Sequence, residues 1–137
     1  MTTEEYLIAR KSKDWKFNTV VDKASFSHVN RIHPIKQRMV KGIVDVARED
    51  EAVRKIIIFG RAIRYDCDIT SDLDICLDWT EDCYDSDGVL KPFTGNMRRT
   101  ISLVTKRNAD VVNWGYLDGT IVEDAVMEGV VVYEHNV

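Results

Sequence analysis

The sequence holds no apolar run near the roughly 20 residues that cross a bilayer as a helix. Its opening stretch, MTTEEYLIARKSKDWKF, is charged throughout and lacks the apolar centre of a secretory leader. Cysteine is scarce: Cys67, Cys76 and Cys83 are odd in number and at no zinc-type spacing, so a disulfide framework and a structural zinc site are both disfavoured. Reduced thiols, buried or half-exposed, are the expectation, and with the missing leader they point to the cytoplasm. Two prolines and seven glycines exclude a collagen-like or low-complexity chain. A basic excess is also missing, with 19 basic against 23 acidic side chains and a net charge of -4. Binding nucleic acid in bulk by phosphate neutralisation calls for the opposite sign.

What remains is a chain of 137 residues, 45% hydrophobic, long enough to bury a core without staples. No repeat, linker or boundary divides it. The expectation is one domain over 1–137, with an N-terminal extension over 1–33 and a core over 34–133.

The net charge hides an uneven distribution. Residues 1–64 carry a balance of +6, residues 65–90 carry nine acids and no base, and residues 91–137 carry -1. A block of one sign repels itself unless it is solvated or holds a cation. For Asp78, Glu81, Asp82, Asp85 and Asp87 a solvated acidic loop is the expectation. Asp72 and Asp74 differ because of the segment that carries them.

That segment, Asp-Leu-Asp-Ile-Cys-Leu-Asp over 72–78, alternates strictly and reads as a strand. Leu73, Ile75 and Leu77 face one way; Asp72, Asp74, Cys76 and Asp78 face the other. Because the leucines and isoleucine are needed in the core, the strand cannot turn over to release its aspartates. Two carboxylates that close repel unless one is protonated or a cation lies between them. Mg²⁺ or Mn²⁺ answers this well, taking one or two carboxylates plus waters and substrate phosphates. Asp110, within a strand expected from Ala109 to Trp114, could join them if that strand lies alongside. Three carboxylates suit phosphoryl transfer with paired metal ions, the third also being placed to take a proton from an attacking hydroxyl.

Other elements follow from periodicity. A helix near 3–10, capped by Thr2 or Thr3, precedes a connection over 11–30 with no clean period. Pro34 suits the first position of a helix whose Ile35, Met39, Ile43, Val46 and Ala47 share a face, ending at the charged run from Arg48 to Glu51. Ile56 to Phe59 is a buried strand closed by Gly60. Thr94 caps a helix with Met97, Ile101 and Val104 inward. Thr120 caps another with Ile121, Ala125 and Met127, stopped by Gly129. Val130 to Tyr133 is a last strand. The order predicts an α/β (α+β) fold, a mixed sheet with flanking helices. At Gly60 the backbone admits close approach of a ligand, and Arg61 and Arg64 in the same turn suit phosphate oxygens. His28, His33 and His135 lack ligand partners at metal spacing. Trp15, Trp79 and Trp114 read as core or interface aromatics. The basic stretch of Arg10, Lys11, Lys13 and Lys16 reads as a solvated face.

Ile58-Phe59-Gly60-Arg61, followed by Ser71-Asp72-Leu73-Asp74-Ile75 and later Ala109-Asp110-Val111-Val112, resembles the DNA-polymerase-β-like nucleotidyltransferase superfamily. It is most similar to the minimal nucleotidyltransferases found beside HEPN-domain proteins in bacterial operons. Gly60 and Asp72 have the motif's separation, Arg64 matches its second arginine, and Glu128-Gly129-Val130 to Tyr133 resembles the terminal segment. The likeness covers roughly 35–133. It implies a polymerase-β-like fold and Mg²⁺-dependent transfer of a nucleoside monophosphate from an NTP, ATP first, to an acceptor hydroxyl. By that likeness Asp72, Asp74 and Asp110 bind metal and perform catalysis, while Gly60, Arg61, Arg64 and Ser71 hold the triphosphate. The acceptor it implies is a tyrosine of a HEPN-type toxin, making this chain an antitoxin, or else a small molecule. The chain's size favours a protein partner or a homodimer in completing the acceptor site. Arg61 stands where the family has Ser or Gly, and Tyr65 where it has a second glycine. A long cation thus replaces the hydroxyl contact, and keeps open a non-catalytic module that binds nucleotide or neutralises a toxin by contact. A structural domain without a ligand is the third reading.

Overall fold

The computed structural model describes residues 16–89, 95–106 and 108–135. The helix expected near 3–10 and the cap at Thr94 lie outside the described residues.

Helix α1 spans Pro34–Ala47, with Pro34 in its first turn, where a missing N–H leaves no bond unmade. His33 caps it, its Nδ1 accepting from Ile35 N–H at 3.3 Å. The buried face is Lys36, Gln37, Val40, Ile43, Val44 and Ala47. Of the expected face, Ile43 and Ala47 are buried and Met39 packs on the core, but Ile35 and Val46 are each 40% exposed. Two polar residues head the true stripe because backbone acceptors wait for them inside. Gln37 donates to Asn18 O and Ile32 O and accepts from Val20 N–H, so it fastens the preceding segment to the helix.

Four strands follow: β1 (Val53–Phe59), β2 (Leu73–Trp79), β3 (Ala109–Asn113) and β4 (Val130–Glu134). Their order is β3-β2-β1-β4; β1 is antiparallel to both β2 and β4, while β2 and β3 are parallel. The sheet is mixed, as expected. A parallel neighbour needs a crossover, and helix α2 (Gly95–Val104) lies within it. Helix α3 (Glu123–Met127) precedes β4.

Both sheet faces are covered, which explains the unbroken apolar run of β1. Ile56 and Ile58 join Leu73, Ile75 and Leu77 of β2 with Val40, Ile43, Val44, Met97 and Ile101 of the helices in the main core. Burying each such side chain contributes about 1.5–3 kcal/mol. Ile57 and Phe59 point the other way, onto Cys76, Leu117 and Val126. The alternation of β2 holds in full, though the strand begins at Leu73 and Asp72 sits just before it.

Three expectations are corrected. Thr120 does not cap α3: its hydroxyl donates to Leu117 O at 2.6 Å, closing a turn before the helix begins. Val126 is the buried residue of α3, whereas Ile121 is 99% exposed and Met127 59%. Gly129 has no left-handed φ. It is required by close approach, since an added Cβ would stand 2.6 Å from Ile57 Cγ2 and 2.9 Å from Ile58 O.

Asp78 is a further correction. It is buried on β2 rather than solvated, accepting from Tyr84 Oη at 3.4 Å with Arg54 Nε at 4.0 Å. Glu81, Asp82, Asp85 and Asp87 are exposed, as expected. All three cysteines are free and buried. Trp79 is buried, its indole N–H donating to Asn113 Oδ1 at 3.2 Å, and Trp114 packs on the smaller core. Among the described residues no helix is long and apolar enough to cross a membrane.

Candidate functional site

The parallel register of β2 and β3 aligns Asp74 with Asp110. Residues so paired project from the same sheet face, so the sequence's second and third acids are neighbours. Asp72 and Asp110 are exposed and Asp74 is half-buried. On its other side Asp74 pairs with Phe59, the last residue of β1. Farther along this face the sheet is closed over by Cys76, Leu117 and Val126. The carboxylates therefore occupy the open end of an otherwise apolar surface.

Burial, then the charge of Asp110, then that of Asp72, pushes the Asp74 carboxyl up from 3.8 to about 6. The three acids share one electrostatic field. Among the described residues no ion pair links any of them to a cationic side chain. Nor does any group of three carboxylate, imidazole or thiol side chains there stand ready to hold a metal ion. The donor set still suits Mg²⁺, because that ion is usually held by one or two carboxylates and completes its shell with waters and phosphates. A register-paired couple of oxygen donors with an uncompensated repulsion meets that description.

Gly60 is dictated twice. Its φ is +71°, in the left-handed region, and an added Cβ would run into Asp74 Oδ2 with Cγ only 3.1 Å away. The backbone after β1 thus lies against the carboxylate. It continues as a single 3-10 turn, Gly60–Ile63, which Arg64 closes by donating its N–H to Arg61 O at 2.9 Å. Arg61 is exposed, with Nη1 3.5 Å from Ser71 Oγ.

Ser71 is buried and fully engaged. Its hydroxyl accepts from Asp68 N–H at 3.1 Å and donates to Asp68 Oδ1 at 3.2 Å. Asp68 Oδ1 also accepts from Thr70, whose hydroxyl and N–H, with Ser71's bonds, hold its carboxyl below the usual range. The sequence suggested Ser71 as a triphosphate contact; its hydroxyl is spent on the turn that presents Asp72.

Lys36 was missed. It is only 2% exposed, and its ammonium donates to Ser71 O at 2.5 Å. The signal was available in the spacing Lys36, Gln37, Val40, Ile43, Val44, Ala47, which is a helix stripe once its first two members are allowed to be polar. His33 also does more than the sequence suggested: it caps α1, donates its backbone N–H to Ala62 O at 2.7 Å, and has its pKa lowered by burial and by Lys36. Cys76, beside the acids on the same face, is chemically quiet. Burial, then Asp78, pushes its thiol up to about 12, so it carries no thiolate at neutral pH.

A groove of about 740 Å³ lies elsewhere, between Glu51, Arg54, Thr80, Glu81, Asp82, Glu134 and His135. These residues flank the start of β1 and the ends of β2 and β4, the opposite end from Asp74. Chemistry, not the presence of a groove, singles out the carboxylates. The chain matches no protein-family model, no curated protein and no solved structure.

Proposed function

We propose that this protein is a divalent-metal-dependent nucleotidyltransferase with Asp74 and Asp110 at its centre. The observation that carries the reading is their register pairing on parallel strands, with Gly60 pressed against the Asp74 carboxylate. The family likeness of the sequence supports it. Asp74 and Asp110, with Asp72 beside them, would hold Mg²⁺ or Mn²⁺, which when bound offsets the charge of a triphosphate and acidifies an attacking hydroxyl.

The chain's own residues account for the remainder. Asp110, which is exposed, would take the acceptor's proton. The acceptor oxygen attacks the α-phosphorus, the bond from that phosphorus to the bridging β-oxygen breaks, and pyrophosphate leaves. Arg61 and Arg64, just before the acidic stretch of sequence, supply positive charge at the edge of the site. The acceptor is a hydroxyl, and a tyrosine of a helical HEPN-type toxin is the first candidate, which would make the chain an antitoxin.

The position of Arg61 favours a second reading. Its guanidinium reaches Ser71 Oγ, next to Asp72, where a fixed cation would stand in for metal and leave a non-catalytic module. Incubation with α-labelled ATP, Mg²⁺ and a helical partner encoded nearby separates the two. Transfer of label to a partner tyrosine, lost in Asp74→Ala, is expected. Label that stays in ATP while the partner is still bound and neutralised would favour the second reading.

A further inference from the structure

We infer that Lys36 is a positioning residue for this site, its buried ammonium holding the turn that presents Asp72. The inference rests on the metal-site reading above. Lys36 lies on α1, on the main-core side of the sheet, and touches neither carboxylate in any recorded bond. It acts on the backbone instead. Its Nζ donates to Ser71 O, and three residues earlier, at the cap of the same helix, His33 N–H donates to Ala62 O. One helix start therefore grips both segments that border Asp74, the turn after β1 and the turn before β2.

Asp72 stands between two anchored residues. On one side Ser71 has its N–H on Asp68 O, its hydroxyl on Asp68 and its carbonyl on Lys36. On the other, Leu73 N–H donates to Asn108 O at 2.9 Å, where β3 begins beside β2. Asp72 itself is exposed and outside the strand, so its place depends on those neighbours. A buried ammonium is costly compared with an apolar side chain of equal length, which would pack there with no charge to desolvate. The lysine supplies what methionine cannot: a charge-assisted bond to Ser71 O, stronger than a neutral one. It is also the shared neighbour of the helix start and the turn. Burial pushes the Cys67 thiol up while the Lys36 charge works against it, and the same charge helps lower His33.

The test compares the wild-type chain with Lys36→Met, which keeps the stem, and Lys36→Arg, which keeps the charge and the donors. Mn²⁺ binding is measured by calorimetry, and amide hydrogen exchange by NMR. Lys36→Met should weaken Mn²⁺ about tenfold, the usual size for loss of an outer-shell support. Exchange at Ser71 should quicken while Ile56 in the core is unchanged, and Lys36→Arg should restore most of the affinity. Wild-type binding that Lys36→Met leaves unaltered overturns the positioning role, even if Ser71 loosens. A wild-type chain that binds no Mn²⁺ overturns the metal-site reading itself. Should Lys36→Met fail to fold, the wild-type ¹⁵Nζ–¹H signal decides. An ammonium signal protected from exchange at neutral pH is expected, and its absence would overturn the inference.

Discussion

At the scale of single residues, Asp74 carries the most information. It is placed by β2, crowded by Asp110, and free of any side chain from Gly60 only because that residue is glycine. Its raised carboxyl has a consequence for stability whose sign differs from that of a salt-bridged aspartate. The unfolded carboxyl loses its proton near 3.8 and the folded one near 6. As pH rises through this window the unfolded chain is favoured, so Asp74 costs stability, and the full cost is present above pH 6. A displacement of that size is worth about 3 kcal/mol in full. For a half-exposed group, solvent screening brings the expected cost to about 1–2 kcal/mol. Asp74→Asn should therefore stabilise the metal-free protein by about that amount at pH 8 and by nothing at pH 4. Urea unfolding with a chelator present measures both. An equal effect at the two pH values would mean that Asp74 is not strained by its neighbours.

At the scale of elements, the structure distinguishes two kinds of glycine. Gly129 brings the end of α3 down onto β1, where an added methyl would strike Ile57 and the Ile58 carbonyl. Gly129→Ala should cost about 1–3 kcal/mol, as overpacking does. Gly42, inside α1, has room: an added Cβ would meet Val104 of α2 at 3.4 Å. Gly42→Ala should be neutral or gain up to about 1 kcal/mol through helix propensity. Thermal or urea unfolding of the pair decides this, and equal losses would contradict the packing described.

The elements also show what could be read from sequence. The strict alternation of 73–77 was legible because Leu73, Ile75 and Leu77 leave no other way to bury a core face. β1 is legible from Ile56 to Phe59, but the charged Arg54 and Lys55 separate Val53 from that apolar run and hide the start of the strand. Asp110 was found as an acid on a strand; that its strand lies parallel to β2, with Asp110 beside Asp74, belongs to tertiary pairing that no local pattern encodes. In α1 the expected face includes the buried Ile43 and Ala47 but not Lys36 and Gln37, which are buried by backbone partners distant in sequence, Ser71 O and Asn18 O. α3 was mis-phased because Ile121 is as apolar as a core residue yet sits on the turn preceding the helix.

At the scale of the whole molecule, the charge pattern takes on a shape. The net of -4 divides into +6, -9 and -1 along the chain, and the acidic block is β2 with its flanks. Asp72 and Asp74 lie at the entrance to that strand, Asp78 is buried near its exit, and Glu81 and Asp82 line the distant groove. A polyanionic triphosphate would be repelled from this strand unless it arrived with its cation. A nucleotide held at the proposed site must therefore bind with its metal and not without it. Calorimetry with a nonhydrolysable NTP, in the presence and absence of Mg²⁺, tests this most directly. The predicted result is heat of nucleotide binding at pH 7.5 only when Mg²⁺ is present, abolished by Asp74→Ala. No heat from the folded wild-type protein with Mg²⁺ present, or binding that Asp74→Ala leaves intact, would contradict the proposed metal–nucleotide site.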